Sequence, residues 1–390
     1  MAESQTHPIV IIGAGIVGCS LAKHLARRGR PVTLIDRDIG TTLPGSTGHA
    51  PGFVGQLNEI ATLTTLAKRS VADYKTVPGG FAPVGGLEVA YSKPAEERLS
   101  SRKHLAESYG LPSRLITSRE AVDLAREFVK EDVSAALLFE SDGTANPQAI
   151  ALHDRAEAQR HGASLLEADV VGIQKEHGAV TGVQTSQGLI PASQVVLATG
   201  IWARQLSPSL PVHPVAHPYT HSAPRPTRSP SPFVRWPEHH VYARDHGEYD
   251  GIGSYDHPAI SVDAADLGKD AYGSWEQSFD QVLSKAYSLV PSTTSFTDSK
   301  PFNGLFSTTP DNLPVAGDLG EGLFCAVAVW VTHAGGVAEL LSRVIAGEKL
   351  SEEDQKLLAE ISPARFEGQD EQELRRKSLR SYNDIYNTDS

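Results

Sequence analysis

The feature that most restricts what this chain can fold into is a glycine-spaced turn close to its N-terminus. Pro8-Ile9-Val10-Ile11-Ile12 contains no polar side chain, the pattern of a strand covered on both faces. Gly13-Ala14-Gly15-Ile16-Val17-Gly18 follows at once. Residues Ile16 to Arg28 then carry apolar positions at helical spacing, with Gly29 as the stop. Pro31-Val32-Thr33-Leu34-Ile35 forms a second apolar run that ends on Asp36. The turn therefore has a strand before it, a helix after it and an acid closing the next strand, which is the setting of a dinucleotide-binding fingerprint. In that setting Gly13 makes the tight turn, Gly15 lets a pyrophosphate approach the backbone and Gly18 lets the helix pack on the sheet. The helix N-terminus presents N–H groups to the pyrophosphate, and Asp36 takes the adenosine ribose hydroxyls.

Composition narrows the class. A chain of 390 residues has room for two ordinary domains. A formal net charge of −12 argues against nucleic acid as a partner, because phosphate contact needs a basic surface. No apolar run is long enough for a membrane span. Met1 to His7 lacks the order of a signal peptide, and Asn387 to Ser390 carries no peroxisomal tripeptide. Cys19 and Cys325 sit in apolar surroundings and read as buried thiols, which fits a reducing, cytoplasmic setting. No metal centre is expected, and the oligomeric state is left open.

Two kinds of sequence interleave along the chain. Helices are expected near 56–76, 94–109, 118–128, 147–161, 274–289 and 335–346. Strands are expected at 86–91, through a run of short segments from 163 to 200, and over 239–262. Residues 207–237 are rich in Pro and Ser and read as a connection with edge structure. The expected organisation is a Rossmann-like FAD-binding domain, α/β, built from 1–78, 140–204 and 303–350. It is interleaved with a strand-rich α+β substrate domain from 79–139 and 205–302. The charged helical tail, 351–390, is expected on the surface.

Four segments together resemble the flavin-dependent amine oxidoreductases, the family of D-amino acid oxidase, glycine oxidase, sarcosine oxidase and dimethylglycine dehydrogenase. They are the fingerprint; Gly45-Ser46-Thr47-Gly48-His49-Ala50-Pro51-Gly52 with its extension Val54 to Leu57; Val195 to Ala203; and Phe302 to Gly317. The nearest branch is similar to the dimethylglycine and sarcosine dehydrogenases. There the histidine matching His49 carries FAD covalently; this chain differs by having Gly48 where that branch has tryptophan, and Pro51 where it has a small residue. Monomeric sarcosine oxidase instead uses a cysteine just before the Thr-Pro-Asp motif, and Gly304 stands at that point here.

The resemblance implies oxidation of a small secondary or tertiary amine or N-methyl amino acid by hydride transfer to flavin N5. The implied cofactor contacts are Gly13, Gly15, Ile16, Val17, Gly18, Asp36, Arg37, Gly45, Ser46, Thr47, His49, Val171, Thr199, Gly200, Trp202, Gly304, His333, Gly335 and Gly336. Gly335 and Gly336 are expected to let the backbone approach the flavin, with the helix after them aimed at its pyrimidine end. His333 either lines the substrate side or caps that helix. His217, in Val215-Ala216-His217-Pro218-Tyr219, is either a base for the substrate ammonium or an ordinary loop histidine. Tyr242, Arg244 and Tyr255 either form the floor for a substrate carboxylate, Arg244 as a bidentate partner, or a cross-strand surface ladder. The strand Gly251 to Tyr255 lacks the oxygen-activating lysine of sarcosine oxidases, so the electron acceptor stays open between O2 and another carrier. The chain stops about 40 residues after its last flavin-domain helix, so folate capture of formaldehyde is not expected. Other readings are an FAD oxidase or dehydrogenase of a specialised metabolite with a diverged pocket, and a flavin-binding protein without turnover.

Overall fold

The computed structural model describes residues 7–291, 296 and 299–385. The targeting signals sought at residues 1–6 and 386–390 fall outside the described residues.

The apolar runs of the fingerprint become the centre of a six-stranded sheet. Its order is Val315–Gly320, Leu323–Val327, Gln194–Leu197, Ile9–Ile12, Val32–Asp36 and Ser164–Glu167. All neighbours are parallel except the first pair. Ile9–Ile12 is buried at every position, as a parallel strand covered on both faces must be. Helices Ile16–Arg27, Pro147–Arg160 and Ala334–Ala346 share one apolar core with it. Within that core Lys23 is almost fully buried, and its ammonium is shared between Asp73 at 2.7 Å and Asp154 at 3.0 Å. The cation thereby ties three helices, Ile16–Arg27, Ala61–Tyr74 and Pro147–Arg160.

A nine-stranded sheet lies in the strand-rich half. Its order is Tyr272–Gly273, Lys300–Gly304, Pro218–His221, Asp250–Ser254, Val241–Asp245, Phe233–Trp236, Gly86–Ala90, Ala135–Phe139 and Ser113–Thr117. This corrects the reading of 207–237 as a connection with edge structure. Pro218–His221 is bonded on both sides, and Phe233–Trp236 also sits inside the sheet. The proline is tolerated because it opens its strand, where no ladder N–H is required of it.

The tail also departs from expectation. Helices Glu352–Ile361 and Glu371–Asn383 are charged outside, but Leu357, Ile361, Leu374 and Tyr382 are buried. Arg365 bonds both carboxylate oxygens of Asp311 at 2.8 and 3.1 Å, and Asn312 donates to the Ser381 carbonyl at 2.9 Å. The Thr-Pro-Asp-Asn motif is thus a clamp for the C-terminal helices. A charged composition misreads them because some of their buried positions are polar, Asp354, Ser378 and Ser381 being among them.

Candidate functional site: a cavity between the two sheets

A single cavity of about 600 Å³ runs from Gly13, Gly15 and Asp36 to His217, Tyr242 and Phe302. Its near end is made by the fingerprint. Gly13 has φ +107°, and a Cβ there would lie 2.4 Å from the Ala198 carbonyl oxygen, so only glycine makes this turn. Asp36 accepts the Ala14 N–H at 2.6 Å and the Asp38 N–H at 3.0 Å. Burial raises its pKa, against those two hydrogen bonds. Thr47 accepts the Ile16 N–H at 3.1 Å, so the second motif is fastened to the start of the fingerprint helix. Ile16, Val17, Gly45, Ser46, Thr47, Val171, Thr199 and Gly200 also line the cavity. Arg37 lines it too, with its guanidinium 4.5 Å from the Trp202 ring centroid. Gly18 lies behind the wall, against the Gly13 carbonyl, consistent with packing rather than ligand contact.

His49 sits midway along the cavity. Its half-buried ring lies against Tyr272 at 4.9 Å and Phe302 at 6.0 Å between centroids. Burial pushes its pKa down to about 4, so the imidazole is neutral. A Cβ on Gly304 would come within 2.8 Å of the His49 ring, which explains a glycine at that point. Gly48 is likewise dictated by space: a Cβ there would meet the Leu43 carbonyl oxygen at 2.0 Å, leaving no room for the tryptophan seen in similar runs.

The cavity fits a large polar group. His49 Nδ1, Thr199 Oγ1, Trp202 Nε1 and Ser307 Oγ all belong to residues that line it and are buried without a hydrogen-bond partner. Arg235 Nε is a fifth, and buried polar atoms are nearly always paired, so these orphans among the cavity-lining residues mark where a ligand would supply partners.

The far end is aromatic. The Tyr242 ring stacks parallel to His217 at 5.8 Å, Tyr255 lies 4.4 Å from it and Phe306 meets it edge-on at 5.5 Å. Gly253 makes room for this: a Cβ there would lie 2.5 Å from the Tyr242 hydroxyl. The strand lacking lysine is thus overlaid by tyrosine rings. His217 is fully enclosed, and burial holds its pKa well below the usual value. Its Nε2 meets the Tyr242 hydroxyl at 2.8 Å and its Nδ1 the Tyr382 hydroxyl at 2.8 Å. His217, in the short connection between two strands, is therefore enclosed, and Tyr242 and Tyr255 are buried with it.

Three more of the expected residues lie off the cavity. Arg244 does not reach the cavity: it donates to the carbonyls of Pro51 at 2.5 Å, Ala145 at 3.3 Å and Asp245 at 2.9 Å, bracing the strand instead. Gly335 and Gly336 do not line the cavity either. Their N–H groups go to Tyr74 Oη at 3.2 Å and Ser70 Oγ at 2.9 Å, and their missing side chains let the two helices touch. The N–H groups expected to face the flavin are spent on helix packing. His333 does line the cavity, is held neutral by burial with a pKa of about 4, and makes no side-chain cap to the helix it precedes.

The structure adds residues that the sequence does not single out. Arg235 lines the cavity from the position paired with Tyr242, lies over Phe53 and Phe233 at 5.0 and 5.3 Å, and approaches Glu88 at 3.4 Å. Alternation on Phe233–Trp236 was the available signal. Tyr382 and His257 carried none.

Residues 8–344 match the family model described as FAD dependent oxidoreductase. The chain is 26% identical over 360 residues to 4-methylaminobutanoate oxidase (formaldehyde-forming) of Paenarthrobacter nicotinovorans, covering 87% of this chain and 43% of that protein. It is 27% identical over 340 residues to human mitochondrial sarcosine dehydrogenase, covering 81% and 36%. The chain thus spans less than half the length of these curated relatives. Among solved structures, L-proline dehydrogenase from P. horikoshii superposes with TM-score 0.79 at 24% identity, covering 93% of this chain and 98% of that one. Glycine oxidase from Geobacillus kaustophilus gives 0.75 at 23%, covering 92% and 99%, so both share the fold. No helix among the described residues is long and apolar enough to cross a membrane. With the cradle, its orphaned polar atoms and this match over most of its length, the chain belongs to the family of FAD-dependent oxidoreductases.

Proposed function

We propose that this protein oxidises a small secondary or tertiary amine, or an N-methyl amino acid, at a C–N bond. The observation that carries the reading is the aromatic enclosure of a neutral histidine at the far end of a dinucleotide-sized cavity. FAD, when bound, supplies the hydride-accepting ring. The chain's own residues have three tasks. Tyr242, Tyr255 and Phe306 hold an alkylammonium by its charge and exclude water. His217, uncharged at rest, takes part in removing the ammonium proton so that the amine lone pair can assist loss of hydride. Arg235 pairs with a substrate carboxylate, the role its strand neighbour Arg244 cannot fill. The names of the relatives, an oxidase of 4-methylaminobutanoate and a dehydrogenase of sarcosine, support this substrate class. His333 faces the same space and stays neutral for the same reason. Residues 1–78, 140–204 and 303–350 are the proposed cofactor half. The acceptor of the electrons is O2 or another carrier.

His49 is the proposed covalent anchor, through Nδ1 to the flavin methyl carbon. The unpartnered, neutral Nδ1 supports the reading, since a neutral imidazole keeps a nucleophilic lone pair. On acid precipitation the yellow colour should stay with the protein, and His49→Ala should release it. Colour in the supernatant of the unaltered protein contradicts covalent attachment and leaves the amine reading intact.

The reading of turnover is tested by anaerobic mixing with sarcosine, dimethylglycine, 4-methylaminobutanoate and L-proline. Bleaching by one or more of them is expected. Bleaching only by unrelated compounds would point to a specialised metabolite, and none at all to a flavoprotein without turnover.

A further inference from the structure

The C-terminal helix Glu371–Asn383 ends beneath the aromatic end of the cavity, and its Tyr382 is fully buried there. The Tyr382 hydroxyl has two histidine partners, His217 Nδ1 at 2.8 Å and His257 Nε2 at 2.6 Å. His257 Nδ1 faces the Pro258 carbonyl at 2.9 Å. With both histidines neutral, those contacts set the direction of every proton in the row. A carbonyl only accepts, so His257 Nδ1 carries the hydrogen. Burial lowers the pKa of His257, which leaves its Nε2 as an acceptor. The Tyr382 O–H must then point to His257 Nε2. Its oxygen accepts from His217 Nδ1–H, and His217 Nε2 accepts from the Tyr242 O–H at 2.8 Å. The row runs in one direction: Tyr242, His217, Tyr382, His257, Pro258 carbonyl.

From this we propose that Tyr382 and His257 complete a proton relay, in which the C-terminal helix lets His217 act without becoming charged. The relay rests on the amine-oxidising reading of the cavity. Full enclosure disfavours an imidazolium at His217. A proton can therefore be accepted at Nε2 only if Nδ1 gives one up in the same movement. The balance is one proton in and one moved at each step. The substrate ammonium gives its proton to the Tyr242 oxygen as Tyr242 passes its own to His217 Nε2. His217 Nδ1 gives its proton to Tyr382, and Tyr382 gives its own to His257 Nε2. The charge comes to rest on His257, where the Pro258 carbonyl and the neighbouring Asp256 carboxylate offset part of the cost of burial. No electrons move in the relay. Tyr382 and His257 are positioning residues, since neither lines the cavity. Asn383 fastens the arrangement by donating to the His257 carbonyl at 2.6 Å.

The test uses the flavin-loaded full chain in two measurements. In protein carrying ¹⁵N-histidine, long-range proton–nitrogen spectra should assign both His217 and His257 to the neutral Nδ1–H tautomer, with His217→Gln and His257→Gln identifying the signals. Tyr382→Phe keeps the ring but removes the hydroxyl, and should shift His217 towards the Nε2–H tautomer. This readout needs no substrate, so it stands even if no amine bleaches the flavin. With an amine that does bleach it, Tyr382→Phe and His257→Gln should each slow flavin reduction about tenfold. In H2O/D2O mixtures the unaltered protein should give a curved dependence of rate on deuterium fraction, and the variants a linear one. An Nε2–H tautomer at His217 in the unaltered protein, or variants with unchanged rate and curvature, would overturn the relay.

Discussion

The two ends of the cavity are built by opposite means. The cofactor end is made largely from backbone close in sequence: a turn at Gly13, a helix start at Ile16 and a strand end at Asp36, joined by Thr47. The aromatic end is made from side chains brought together from remote segments, with Tyr242 in one strand, His217 ahead of another, His257 in a loop and Tyr382 in the last helix. The first design binds a group through its invariant phosphates and hydroxyls, which backbone can meet. The second sets proton positions, which only side chains can do. Variants at the two ends should therefore fail differently, one in holding flavin or fold and the other in reducing flavin.

The largest effect is expected from Lys23→Met in the cofactor half. It strands the Asp73 and Asp154 carboxylates, the latter fully buried, and should cost about 3–5 kcal/mol of stability, read from the urea midpoint. Asp142, a buried carboxyl that also falls within residues 140–204, should instead make stability depend on pH. Burial pushes Asp142 up to about 7, although Gln56 donates its backbone N–H to it at 2.9 Å. The folded chain therefore binds a proton that the unfolded chain has released above about pH 4. The Asp142 contribution to stability falls as pH rises from about 4 towards 7, by about 4 kcal/mol at most, against the opposite slope from the neutral histidines His49, His217 and His333. Asp142→Asn keeps an acceptor for Gln56 and should make stability rise more steeply with pH between about 4 and 7 than in the parent. A variant with the same slope as the parent would contradict the assignment.

Smaller effects are expected on the reaction itself. His217→Gln should lower the rate of flavin reduction about 100-fold, equivalent to about 2.7 kcal/mol, with the flavin spectrum and its retention unchanged. Arg235→Met should raise KM about tenfold for a carboxylate-bearing amine and leave kcat within about twofold, a loss of about 1.4 kcal/mol in binding. Arg244→Met should show no such preference for carboxylates, because its donors are engaged by backbone carbonyls. Equal KM changes for substrates with and without a carboxylate would remove Arg235 from that role.

This contrast also explains what could be read from the residues alone. The fingerprint is legible because local spacing dictates local structure: the turn, the helix and Asp36 follow from one another within about 24 residues. His49 and His217 could be singled out from short motifs, but not their surroundings. Whether Arg235 or Arg244 enters the cavity depends on strand pairing, since the two lie on adjacent strands and only one reaches carbonyl oxygens of another segment. Gly335 and Gly336 look like ligand glycines in sequence, yet serve a helix contact with Leu66 and Ser70. The tail is the sharpest case. Nothing in its charged pattern indicates that Tyr382 meets His217, 165 residues away.

The most direct test of the central claim is anaerobic titration of the purified yellow protein with N-methyl amines, followed by the flavin absorbance. The account predicts bleaching by a secondary or tertiary amine, about 100-fold slower in His217→Gln and with the same flavin content in both proteins. A flavin that stays oxidised with every amine in the panel, or that bleaches equally fast without His217, would contradict it.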